Sequence, residues 1–147
     1  MSISYFPTTF GNLGIEDDGE YVTRIFLGPG ESEPTDVALR AFEEISEYLS
    51  GDRREFTFGI RTEGTDFQKR VWDAISEIPY GETRTYAQIA DRAGRPRAVR
   101  AAGSACGMNP VAIAIPCHRV VRTNGETGNY FYGTEMKESL LRMERDH

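Results

Sequence analysis

At 147 residues, with 39% hydrophobic and 27% charged side chains, the chain can bury a real core, and its length suits one or two compact domains, of which two small ones are expected. No window is apolar enough to span a bilayer and no basic segment followed by an apolar core opens the chain, so a soluble, cytoplasmic protein is expected. The two cysteines, Cys106 and Cys117, exclude a disulfide framework and fit a reducing compartment.

The formal charge of -6 argues against a polyanionic partner until its distribution is read. Between Arg84 and Arg122 stand seven arginines and a single acid, Asp91, so this segment is +6 and the remainder must carry -12. Such asymmetry orients a molecule toward DNA through one face, the plain alternative being a solvated arginine-rich surface.

In chain order, Ile3 to Leu27 alternates apolar and polar residues around the turn signals Gly11-Asn12 and Asp17-Asp18-Gly19, which predicts three short antiparallel strands. Val37 to Leu49 places Ala38, Ala41, Phe42, Ile45 and Leu49 on one helical face, with Thr35 or Asp36 as cap and Gly51 as stop. An edge strand is expected at Phe56-Thr57-Phe58. The boundary falls in the charged stretch after Asp52, giving domains of 1–62 and 63–147.

Thr65-Asp66-Phe67-Gln68 reads as a capping box that starts a helix running to about Ile78, and Thr85-Tyr86-Ala87-Gln88 repeats the device. Gly94 ends that second helix, and Pro96 suits the first turn of a third running to about Cys106. Two short helices joined by a tight turn match the DNA-reading helix-turn-helix, with Arg97 and Arg100 on the second, although many helical hairpins bind nothing. A final helix spans Glu135 to Arg145. The fold class expected is α+β: an N-terminal antiparallel sheet and helix, then a mostly helical domain that presents a cysteine on a strand or turn.

That cysteine lies in Ile113-Ala114-Ile115-Pro116-Cys117-His118-Arg119-Val120-Val121. Val111 to Ile115 reads as a buried strand which Pro116 stops, so the thiol arrives at its rim beside an imidazole. Adjacent side chains on a strand point to opposite faces, so a working Cys-His pair requires a local turn or a bridging water. A lone Cys-His pair is more often an inert small hydrophobe next to a surface histidine.

Taken with Tyr80-Gly81-Glu82, Thr85-Tyr86, Arg97 to Gly103, Asn109-Pro110, Gly128-Asn129-Tyr130 and Lys137-Glu138, the Pro-Cys-His-Arg-Val core resembles the O6-alkylguanine-DNA alkyltransferases, also called methylated-DNA-protein-cysteine methyltransferases. The resemblance covers Thr65 to Glu144. It implies a single-turnover repair protein that flips O6-methylguanine, with O4-methylthymine left open as a second substrate, out of duplex DNA and moves the alkyl group irreversibly to Cys117. His118 is implied to activate the thiol through a bound water, with Glu144 holding the imidazole.

By the same resemblance Arg100 inserts into the stack from the minor-groove side, Tyr86 crowds the target phosphate and donates toward N3 of the leaving guanine, and Arg95, Arg97 and Arg119 contact DNA. Asn109 stitches the turn before the active-site segment. Tyr130, Phe131 and Tyr132 wall the pocket, and the carbonyls of Cys117 and Val120 accept from the guanine amine. Phe131 and Tyr132 depart from residues common in relatives; a phenol at 132 is expected to narrow the pocket. No metal and no cofactor are expected, and the small size suits a monomer. Two rival readings are an alkyltransferase-like module that binds lesions without repairing them and a thiol hydrolase.

Overall fold

A computed structural model describes residues 1–147. The alternating first third forms β1 (Ser2–Thr8), β2 (Gly11–Asp17) and β3 (Val22–Leu27), an antiparallel sheet in the order β1-β2-β3. Pairing sets Phe6 opposite Leu13 and Ile15 opposite Ile25, which puts the apolar set on one buried face. Helix α1 (Asp36–Leu49) is capped by the Thr35 side chain, which accepts from the Ala38 N–H. Its buried stripe is Ala38, Ala41, Ile45 and Tyr48, so Tyr48 faces inward where Leu49 was expected. Phe42 stacks on Phe6 at 4.2 Å between ring centroids. The edge strand expected at Phe56-Phe58 is absent: the chain makes only an isolated bridge between Ile60 and Val22.

The chain divides into two compact units, Met1–Thr62 with Pro110–Ala114, and Glu63–Asn109 with Ile115–His147. Within the first, Ile25 N–H donates to Pro110 O at 2.9 Å and Ala112 N–H to Ile25 O at 3.1 Å. The run Val111–Ile115 is not the strand expected. After Val111 the chain turns, and buried Ile113 takes φ of 71°, a left-handed backbone that a β-branched residue adopts only under strain.

In the second unit the two capping boxes form as the sequence implies: Thr65 opens α2 (Asp66–Ser76) and Thr85 opens α3 (Tyr86–Arg92), each with a glutamine side chain returning to the cap N–H. Helix α4 (Val99–Gly107) starts three residues later than expected, since Pro96 and Arg97 occupy a turn and Ala98 offers no side-chain cap. Val71, Trp72, Ala74 and Ile75 on α2, Ile89 and Ala90 on α3, and Ala102 and Ala105 on α4 make the core. The Trp72 indole N–H is satisfied by Ala105 O at 2.9 Å, tying α2 to α4. A 3-10 turn at Cys117–Arg119 leads into β5 (Val120–Val121), which pairs in parallel with β4 (Arg84–Thr85), and α5 (Thr134–Asp146) closes the chain. No helix is long and apolar enough to cross a membrane.

Candidate active site

Pro116 has no N–H to give a ladder, and the chain goes directly into the 3-10 turn, where Cys117 N–H bonds Ile115 O at 2.8 Å. The turn, in place of an extended strand, frees Cys117 and His118 from pointing to opposite faces. Residues Ile115 to Val120 are all buried. Asn109 holds this geometry: its Nδ2 donates to Ile115 O at 2.8 Å, and its side chain bonds the Cys117 thiol.

Helix α5 delivers two opposite charges to the turn from one buried stripe, Met136, Lys137, Leu140 and Glu144. Glu144 Oε2 lies 2.8 Å from His118 Nε2. Arg119 grips the same carboxylate with two bonds, Nε to Oε1 at 2.9 Å and Nη2 to Oε2 at 3.0 Å, and sends Nη1 to Ile78 O at 2.8 Å. The Gly81 N–H adds a fourth at 3.1 Å, given by a glycine whose φ of 80° aims the peptide at Glu144. With its carboxylate so held, Glu144 accepts the Nε2 proton of a neutral imidazole, leaving the Nδ1 lone pair as the basic atom. Burial lowers the His118 pKa below its ordinary value, although Glu144 pulls the other way, so the ring is neutral at physiological pH.

The Lys137 ammonium, fully buried, donates to Val120 O at 2.6 Å and Asn129 O at 3.1 Å and lies 5.7 Å from the centre of the Tyr86 ring. Burial brings its pKa down to about 8 while the charge of both cysteines would raise it. Sequence reasoning used Lys137 only as a motif match. The available signal was its spacing: it stands three residues before Leu140 and seven before Glu144, on the inward face. Val120 O, expected to accept from a guanine amine, already serves Lys137 and has one lone pair left for a second donor.

The thiol itself is held neutral. Burial pushes the Cys117 thiol well above its ordinary value, helped by its hydrogen bond with Cys106, while Asn109 and Lys137 act in the opposite direction. A sulfur already anionic in the resting protein is therefore not what this site provides; it provides a thiol beside a neutral base.

Tyr86 opens α3 half-buried, its hydroxyl 3.4 Å from Asn129 O, and burial raises its pKa to about 12, so it remains a donor. Gly128, at φ of 81°, brings the loop against this ring; a Cβ there would sit 3.3 Å from Tyr86 Cε2. In the loop Tyr130 and Tyr132 are partly buried with rings 6.0 Å apart, and burial raises the Tyr130 pKa. Phe131 is 76% exposed, its ring edge-on to Tyr132, and so faces solvent.

The basic segment is less uniform than its composition. Arg119, expected on the DNA face, is instead buried with every guanidinium nitrogen committed internally. Arg92 pairs with Glu77 and Arg84 with Glu82. Arg95, Arg97, Arg100 and Arg122 remain exposed and outside those ion pairs, Arg97 in the turn before α4, Arg100 in its first turn, and Arg95 with its guanidinium 5.1 Å from the centre of the Phe67 ring.

Comparison with known proteins follows the same lines. The family model described as 6-O-methylguanine DNA methyltransferase, DNA binding domain, matches residues 66–146. A methylated-DNA--protein-cysteine methyltransferase of Methanosarcina barkeri is 50% identical over 107 residues, 73% of this chain and 68% of that protein. The inducible enzyme of that name from Bacillus subtilis is 44% identical over 134 residues, 91% of this chain and 75% of its own. The crystal structure of Mycobacterium tuberculosis OGT in complex with DNA superposes with a TM-score of 0.91 at 37% identity, covering 98% of this chain and 92% of that one.

Proposed function

The chain belongs to the O6-methylguanine-DNA methyltransferase family, whose members reverse DNA alkylation directly by transfer to a cysteine, and we propose that Cys117 is the sulfur that takes the alkyl group. One observation carries the reading: a protonated, buried thiol and a neutral imidazole held by Glu144 share a single turn. Residues 63–147 carry the DNA-binding and acceptor parts, residues 1–62 forming the supporting domain.

Exposed Arg100, with Arg95 and Arg97, engages the duplex from the minor groove, and the alkylated guanine rotates into the pocket walled by Tyr130 and Tyr132, at a cost of a few kcal/mol of stacking. His118 Nδ1 takes the thiol proton through a water, and Glu144 stabilises the imidazolium that results. Sulfur attacks the alkyl carbon, the C–O bond breaks, and the electron pair leaves on the guanine. The Tyr86 hydroxyl donates toward N3 of that departing base, and Val120 O accepts from its amine. The product is a thioether, with no leaving group for return, so each molecule acts once. The protein is a cytoplasmic monomer on this reading.

The presence of Cys117 disfavours a module that only marks lesions, and single use separates an acceptor from a thiol hydrolase. The test is mass spectrometry after incubation with a duplex carrying O6-methylguanine. One methylene is gained on the peptide containing Cys117, at most once per molecule, and Cys117→Ala gains none while still binding the duplex. An unmodified Cys117 after complete reaction time, or many products per protein, overturns the assignment.

A further inference from the structure

Cys106 is unused by the mechanism above, yet it stands against the acceptor. It lies in the last turn of α4, buried at 9% exposure, and its thiol hydrogen-bonds that of Cys117, itself 4% exposed. These are the only two cysteines of the chain, and both are free. Their meeting is built by the fold, because Asn109, between them in sequence, fastens the returning chain at Ile115 O and at the Cys117 thiol. An alanine or valine would fill the same space without placing a second thiol on the acceptor.

We propose that Cys106 is a resolving thiol: on exposure to a hydroperoxide, Cys106 and Cys117 close into a disulfide that shuts the acceptor off reversibly. Cys117, its proton passed to His118 as in alkyl transfer, attacks the peroxide; an S–O bond forms, the O–O bond breaks, and hydroxide leaves and takes that proton as water, giving a sulfenic acid. The second thiol attacks that sulfur, the S–S bond forms and the S–O bond breaks, and the oxygen departs as water once it takes the thiol proton. Overall two thiols lose two electrons and two protons, and the peroxide becomes two waters. Closure to ~2.05 Å between sulfurs requires movement of the 3-10 turn toward α4. Without a neighbour, the sulfenic acid would advance to sulfinic acid, which ordinary thiols do not reverse. A methylated Cys117 cannot enter this bond, so the resting disulfide differs from spent protein.

The inference rests on Cys117 being the acceptor, and its test has a readout that does not. Reduced protein is treated with two equivalents of hydrogen peroxide, one more than the disulfide consumes and enough to take a lone thiol to sulfinic acid; free thiols are then blocked and the tryptic peptide Ala101–Arg119, which holds both cysteines, is weighed. Expected is an unblocked peptide about 2 Da lighter than the dithiol form, loss of methyl transfer, and full return of transfer after dithiothreitol. In Cys106→Ala the same dose carries Cys117 to the sulfinic acid, and dithiothreitol restores nothing. Two blockable thiols in treated wild type, oxygen added to Cys117 with no internal bond, or equal irreversible loss in both proteins would each overturn it. If reduced, untreated protein transfers no methyl group, the acceptor reading fails instead, and the peptide mass still decides the disulfide.

Discussion

The polar and charged side chains buried in the two units serve different ends. In the first, Ser4 and Asp17 satisfy their own surroundings: Ser4 accepts from the Thr35 N–H, and Asp17 accepts from the Gly19 N–H at 2.9 Å and the Thr35 hydroxyl at 2.6 Å. In the second, His118, Arg119, Lys137 and Glu144 are buried together around one 3-10 turn. Taking a charge out of water is costly, and a group of like and unlike charges around a nucleophile has no packing advantage over apolar residues of the same volume. The contrast separates burial that closes a turn from burial that prepares a reaction.

Glu144→Ala should break this contrast most severely. It strips partners from both His118 and Arg119, for which loss of stability of about 3–5 kcal/mol is expected by chemical denaturation, with methyl transfer falling to background. The pH profile comes next. Because folding lowers the His118 pKa, the single-turnover rate should fall about tenfold per unit on the acid side, below a midpoint under the ordinary ~6.5. The sign for stability agrees: above ~6.5 the group is neutral in both states, and as pH drops below it the unfolded chain takes the proton first and stability erodes. Stopped-flow transfer and melting measured over the same range check both.

Lys137→Met sharpens the comparison from the other side. It removes a desolvated cation but keeps the volume, so the melting temperature should hold or rise while transfer slows about tenfold, the equivalent of one pKa unit on the thiol. A drop in melting temperature with unchanged rate would make Lys137 a mere prop for the loop. Smallest in chemistry is Asp17→Ala, expected to cost about 1–3 kcal/mol of stability through the unsatisfied Gly19 and Thr35 donors. Its rate per folded molecule should match wild type.

Much of this was legible in the residues. The sheet, α1, both capping boxes and the approach of Asn109 to the cysteine segment follow from periodicity, cap chemistry and motif. What escaped reading had physical reasons. Val111–Ile115 has the composition of a strand, yet bonding to Ile25 and the left-handed Ile113 bend it, and no local propensity encodes that. Arg119 looked like one more surface arginine because sequence does not show that Glu144 and Ile78 O would close around it. Lys137 has the residue type of a solvated helix face yet lies on the inward stripe of α5, and the neutral state of Cys117 depends on burial, which composition does not report.

Helix α5 also works as a ruler. Lys137 and Glu144 are seven residues apart, almost two full turns at 3.6 residues each, and so both ends of the measure fall on the same side. Inserting one residue between them would swing one charge by about 100° relative to the other. No substitution is needed to silence such a protein; a change in phase is enough, with the arginines of α4 left where they are.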